Sequence, residues 1–178
     1  MAQFKLKNGQ TLTFRQAVGA DAAACLEFLC CVGAETDYLL IGPDGLAGVT
    51  EKREAEFLDA CHDSSWRRLY VGYVEGELAC ITNVEINANP RTRHNATMGV
   101  SVRKKYWRQG IGSVCVEQVI RFCRSSGIVK NLCLSVFADN ERAIRLYQKY
   151  GFVCDGYRRK YIRVRGIYHD EALMRLSL

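Results

Sequence analysis

The chain has 178 residues, a formal net charge of +6 and 25% charged residues, the size and balance of one globular domain with a core of its own. No apolar run reaches the roughly 20 residues of a membrane span, and the opening Met-Ala-Gln-Phe-Lys-Leu-Lys lacks the apolar core of a signal peptide. A single-domain cytoplasmic protein without membrane contact is expected.

Residues 4–16 carry two short alternating runs, Phe4-Lys5-Leu6-Lys7 and Thr11-Leu12-Thr13-Phe14, around Asn8-Gly9, and predict a hairpin. A helix is expected from about Asp21, its cap, with Ala22, Cys25, Leu26, Leu29 and Cys30 at helical spacing. Residues 33–49 read as irregular, with Gly-Pro-Asp-Gly at 42–45, and carry Glu35, Asp37 and Tyr38. A segment of that length is either a surface connection or part of a substrate entrance. Thr50 then caps a second helix with Phe57, Leu58 and Cys61 on its apolar side.

Two strands follow, Leu69–Val74 and Leu78–Ile86, around the turn Glu75-Gly76. In the second, Ile81, Asn83, Glu85 and Asn87 share one face, and Cys80, Thr82, Val84 and Ile86 the other. A strand from about His94 to Arg103 leads to a helix after Gly110, striped by Ile111, Cys115, Val119 and Phe122 and ended by Gly127. Asn131–Phe137 is a near-continuous apolar strand, the pattern expected where both faces are covered. Asn140 caps a short helix that stops at Gly151, and two strands, Phe152 to about Arg165 and Tyr168–Leu178, finish the chain. The fold class is α+β (mixed α/β), and the strand–helix–strand unit from 94 to 137 predicts a right-handed parallel crossover.

Chemistry concentrates between Met98 and Ser113, where a strand passes through a basic, glycine-bearing loop into a helix. The first N–H groups of a helix lack internal partners and sit at the positive end of its dipole, so an anion is favoured there. A Rossmann fingerprint would need a third glycine where Cys115 stands, and a Walker loop would need Gly-Lys-Ser/Thr, which Gly110-Ile111-Gly112 does not supply. The nine cysteines are scattered without a Cys-x-x-Cys pair, so reduced core thiols rather than a metal site are expected. Basic residues cluster near 103–108 and 158–165 without a nucleic-acid-binding signature, so no nucleic-acid partner is expected; the charge is a solvated surface or steers a polyanionic ligand.

A second segment, Asn140 to Phe152, joins this loop. Together the two resemble the GNAT superfamily of acetyl-CoA-dependent N-acetyltransferases: an apolar strand ending in Val, then Arg/Gln-x-x-Gly-x-Gly/Ala opening a helix, later Asn-x-x-Ala-x-x-Leu-Tyr and Gly-Phe. Val102, Gly110, Gly112, Asn140, Ala143, Leu146, Tyr147, Gly151 and Phe152 match. The closing Tyr168–Met174 segment is also similar. The resemblance covers roughly 11–178 and is strongest over 98–153 within a single 1–178 domain. One departure is Trp107, where the pattern has Arg or Gln, with Arg108 beside it.

The resemblance implies a central, mostly antiparallel sheet with one parallel crossover and helices on both faces. It implies acetyl-CoA as co-substrate, with no metal. The pantetheine would pair with the strand at Val100 and Val102, and the pyrophosphate would sit on Arg108, Gln109, Gly110, Ile111, Gly112 and Ser113, aided by Arg108, Lys104 or Lys105. Asn140 would bond the cofactor and Tyr147 would protonate the leaving thiolate; without the family pattern the bare residues read as a cap and a core aromatic. Relatives often place a Glu where Thr97 stands, so Glu85, His94 or a water chain is left as the base. The expected acceptor is a primary amine of a small molecule (amino acid, polyamine or amine drug), with acidic walls from Glu35, Asp37 or Glu85 favouring a polyamine. Protein N-terminal or lysine acetylation and a non-catalytic acyl-CoA module are the alternatives. Dimers are common among similar proteins, and nothing in this sequence establishes one.

Overall fold

The computed structural model describes residues 1–40, 46 and 48–178. The Gly-Pro-Asp-Gly stretch at 42–45 lies outside them, and so does the question whether the 33–49 segment closes over a substrate. Among the described residues there are eight strands, β1 (Ala2–Lys5), β2 (Thr11–Gln16), β3 (Arg67–Val74), β4 (Glu77–Ile86), β5 (Asn95–Val102), β6 (Asn131–Phe137), β7 (Val153–Val164) and β8 (Ile167–Ser177). The α-helices are α1 (Ala22–Glu35), α2 (Glu51–Asp63), α3 (Ile111–Ser125) and α4 (Glu141–Lys149). The strands form one sheet in the order β1-β2-β3-β4-β5-β6-β8-β7, mostly antiparallel, with β5 and β6 parallel. This is the mixed α/β class expected. Among the described residues no helix is long and apolar enough to cross a membrane.

Two compact units make up the chain, residues 1–84 with 100–115 and residues 85–99 with 116–178. In the first, β1 and β2 form the expected hairpin, pairing from Ala2↔Phe14 to Lys5↔Thr11. β2 continues antiparallel onto β3, from Leu12↔Val74 to Gln16↔Tyr70. Alternation along β3 sends its side chains to opposite faces. Leu69 and Val71 pack with Cys25, Phe28 and Val32 of α1 and Leu58 and Cys61 of α2. Val74, with Leu12 and Phe14, packs with Tyr106 and with Ile111 and Cys115 from the first turns of α3. Helical residues thus cover both faces here. Burying side chains such as Phe28 and Leu58, both at or below 1% exposure, contributes roughly 1.5–3 kcal/mol each. Glu75 and Gly76, at φ 51° and 83°, make the two-residue turn between β3 and β4 that a right-twisted hairpin favours.

Three expectations need correction here. First, α1 runs through Glu35, so Gly33, Ala34 and Glu35 are helical rather than irregular. Buried Val32 anchors that last turn, which outweighs the roughly 1 kcal/mol that Gly33 costs a helix. Second, Asp21 occupies the cap position of α1, but its backbone is already helical and its side chain makes no cap bond. Instead its carboxylate accepts from Arg15 Nη1 and Nη2 at 2.7 and 2.6 Å, from the Val18 N–H at 2.9 Å and from the Tyr73 hydroxyl at 2.8 Å. Third, Phe57 is 46% exposed while its neighbour Leu58 is fully buried. One residue turns a helix by about 100°, enough to carry Phe57 off the stripe of Leu58 and Cys61. Thr50 does cap α2, accepting from the Arg53 N–H at 3.3 Å.

In the second unit β5 and β6 pair in parallel, Asn95↔Asn131 to Thr97↔Cys133. β8 then lies antiparallel to both β6 and β7. Leu132, Leu134 and Phe137 of β6 are buried, but Ser135 is exposed and Cys133 only half-buried, so the strand is less evenly covered than its apolar run suggests. Val116, Val119, Ile120 and Cys123 form the buried stripe of α3, with Phe122 half-buried at its edge. Gly127, at φ 69°, follows the end of α3, and Gly151, at φ 88°, follows α4.

Candidate active site

In the first unit the segment from Val100 to Ser113 builds the turn that opens α3. Val100 and Val102 are half-buried against the cluster of Leu12, Phe14 and Val74, so their side chains serve the core. The Arg103 N–H extends the ladder to Ala79 O at 3.0 Å, and Lys104–Tyr106 form a short 3-10 turn. Trp107 folds back, its indole N–H donating to Val102 O at 2.8 Å. The side chain that departs from the family pattern therefore caps the end of β5. Arg108 and Gly110 then take left-handed backbone, φ 64° and 96°, on either side of Gln109. The Gln109 carbonyl accepts from the Lys7 N–H at 3.3 Å. A trans, planar peptide then points the Gly110 N–H the opposite way. Gln109 Oε1 is buried with no hydrogen-bond partner among the described residues.

Gly110 O receives Ser113 N–H at 3.0 Å and Val114 N–H at 3.2 Å, so Gly110 stands where a cap stands and α3 starts from it. Left-handed residues in a turn redirect the main-chain N–H groups that follow them, and such turns form concavities for anions. The free N–H groups of the first helical turn add to it. An added Cβ on Gly110 would meet nothing within 4 Å, so what glycine supplies is the φ and open space beside the turn. Ile111 is buried and anchors the turn, while Lys104, Lys105 and Arg108 are exposed cations on the same segment. The donors and charge fit a pyrophosphate.

Two carboxylates hold the approach to this turn, and sequence reasoning assigned neither to it. Glu35 accepts from Arg103 Nε at 2.8 Å and from the Lys104 N–H at 2.7 Å. Glu77 accepts from Arg103 Nη1 at 3.3 Å, from the Tyr106 hydroxyl at 3.0 Å and from Lys105 Nζ. Its hydrogen bond from Lys105, with that from Tyr106, holds the Glu77 carboxyl below its ordinary range. Glu35, expected as an acidic wall, is thus neutralised by Arg103. No local signal announces these pairs, because the partners stand 26 to 69 residues apart.

In the second unit Asn140, Ala143 and Tyr147 share one face of α4, at i, i+3 and i+7. Asn140 is buried, and its Oδ1 accepts from the Ala143 N–H at 3.3 Å, the cap bond expected. Tyr147 is 8% exposed, with its ring 5.6 Å from that of Phe152. His169 Nδ1 lies 3.1 Å from Asp139 Oδ2, beside the start of α4, and the His169 ring packs edge-on to Phe137 at 5.4 Å. Glu85 is exposed on β4. His94 is exposed just before β5, its carbonyl accepting from the Lys130 and Asn131 N–H groups, whereas Val100 and Val102 lie at the other end of that strand.

A model of the acetyltransferase (GNAT) family matches residues 38–152. The L-amino acid N-acetyltransferase AaaT of Escherichia coli (strain K12) is 31% identical over 104 residues, 58% of this chain and 64% of that protein. The chain spans 44% to 64% of the length of the first curated relatives it matches. A crystal structure of a GNAT-family acetyltransferase from Streptococcus pneumoniae superposes with a TM-score of 0.89 at 31% identity, over 94% of this chain and 99% of that one. The structure of yncA, a putative acetyltransferase from Salmonella typhimurium with its cofactor acetyl-CoA, gives a TM-score of 0.79 over 93% of each chain; at 18% identity that likeness speaks to the fold.

Proposed function

The chain belongs to the GNAT acetyltransferase family, and from that premise we propose that it moves an acetyl group directly from acetyl-CoA to a primary amine of a small molecule, an amino acid foremost. The observation that carries this is the turn in which Arg108 and Gly110 go left-handed to open α3. The E. coli relative's name, L-amino acid N-acetyltransferase, supports the choice of acceptor. The match over 38–152 supports taking residues 1–178 as one acetyltransferase domain. Nine free thiols suit a reducing, cytoplasmic compartment.

In this proposal the N–H groups of Arg108 to Ser113 bind the pyrophosphate, and the backbone at Val100 and Val102 pairs with the pantetheine amides. A backbone N–H of that strand end stabilises the oxyanion formed when the amine attacks the thioester carbonyl. The carbon–sulfur bond then breaks, the amine proton leaves to Glu85, His94 or a water chain, and Tyr147 gives its phenolic proton to the sulfur. A phenol of pKa near 10 is a workable donor to a thiolate whose parent acid lies near 8.5. Asn140 orients the cofactor beside the same helix face. The test is thiol release from acetyl-CoA over a panel of amino acids, polyamines and amine drugs. Release with the matching N-acetyl product supports the proposal. Tight coenzyme A binding without release on any amine points to a binding module instead. Glu85→Gln and His94→Gln assign the base: replacing the residue that acts lowers kcat by about a hundredfold while coenzyme A affinity holds, and replacing the other leaves both unchanged.

A further inference from the structure

We propose that Glu35 and Glu77 are positioning residues for the acetyl-CoA loop, holding Arg103–Tyr106 so that the turn from Arg108 to Ser113 keeps its anion-binding shape. This rests on the function proposed above.

Arg103 to Trp107 connect β5 to that turn, and Arg103 to Tyr106 are the first four residues of the connection. Glu35, from the last turn of α1, engages both the Arg103 side chain and the Lys104 main chain, at 2.8 and 2.7 Å. Glu77, the first residue of β4, reaches Arg103, Lys105 and Tyr106. Two carboxylates from separate elements thus fix four consecutive residues. A solvated surface pair would leave the main chain alone, but the Lys104 N–H bond fixes the backbone itself. Side-chain exposures of 18% for Arg103 and 22% for Glu35 mean that this pair is less screened than an open one.

Charge alone argues the other way. Two anions held against the segment that leads into a phosphate site repel the ligand and neutralise cations that would attract it. Removing either carboxylate therefore has opposite consequences under the two accounts. If Glu35 and Glu77 only decorate the surface, Glu35→Gln and Glu77→Gln bind coenzyme A as well as the parent protein or better. If they hold the loop, both bind it more weakly despite the added positive charge.

The experiment is calorimetric titration of coenzyme A into the full chain, its Glu35→Gln, Glu77→Gln and Arg103→Lys variants, and Glu56→Gln as a control. Glu56 is a solvated carboxylate on α2, so it repeats the charge change away from the loop. Weakening of about tenfold or more is expected for both Glu variants, the scale of a lost charge-assisted hydrogen bond. Arg103→Lys keeps the charge but loses the fork, and weakens binding too. Steady-state rates show KM for acetyl-CoA raised while kcat stays within about twofold, the mark of lost binding rather than lost chemistry. Melting curves confirm folded protein at the assay temperature, and Arg103→Lys decides the matter if a Glu variant does not fold. Binding unchanged or tightened in the folded variants, with the parent binding normally, overturns the positioning role alone. A parent chain that does not bind coenzyme A overturns the proposed function and this inference with it.

Discussion

At the scale of single residues, Tyr147 tests the proposed chemistry and Asp21 tests a buried charge. Tyr147→Phe keeps the ring against Phe152 but removes the proton, so kcat should fall at least about tenfold while the coenzyme A Kd holds; unchanged turnover would remove Tyr147 as the acid. Asp21 shows what a sequence hides. Its type and place announced a helix cap, but its work depends on Arg15 and on Tyr73, 52 residues away, which no local pattern connects. Burial alone would raise its pKa; the hydrogen bonds from Arg15, the Val18 N–H and Tyr73 outweigh burial and bring it below the ordinary 3.8. A depressed carboxyl stabilises the fold above its unfolded pKa and loses that contribution as pH falls through the folded value. Asp21→Asn should therefore lower unfolding free energy by about 2–4 kcal/mol at neutral pH, by leaving Arg15 without its anion. In denaturant titrations the gap between parent and variant should stay constant down to about pH 5 and narrow below 3.8. A gap independent of pH would show that the charge of Asp21 is not what matters.

At the scale of elements, the turn that opens α3 was the most legible part of the chain. Gly110 just before the striped helix and Gly112 in its first turn mark where that helix starts, and a helix start supplies N–H donors without internal partners. Its construction was not legible. The left-handed Arg108, the Lys7 N–H on Gln109 O and the Trp107 indole on Val102 O come from tertiary placement. Gly110→Ala tests the backbone directly. With nothing within 4 Å of the added methyl, the whole penalty is the left-handed φ, about 1–2 kcal/mol, visible as a lower melting temperature and weaker coenzyme A binding. Equal stability and affinity would mean that the turn tolerates a side chain and the glycine does something else. Thr50→Ala on α2 should remove about 1 kcal/mol and leave cofactor affinity alone.

For the whole molecule, the sequence of elements was readable in order, but the placement of β8 between β6 and β7 was not. Each strand announces itself by its own alternation, whereas its neighbours are chosen by pairing that the order of the chain leaves open. The net charge of +6 has a kinetic meaning if the ligand is a polyanion: KM for acetyl-CoA should rise several-fold between low and 0.5 M salt, since charges that steer and hold phosphates are screened. Acetyl transfer to a small amine is the activity proposed for the whole chain. The most direct test incubates the chain with acetyl-CoA and a mixed panel of L-amino acids and polyamines, and follows free thiol and N-acetyl products together. Thiol released mole for mole with an N-acetylated amine, an amino acid first among them, is the expected result. Coenzyme A binding with no amine acetylated, or thiol released without an N-acetyl product, would contradict it.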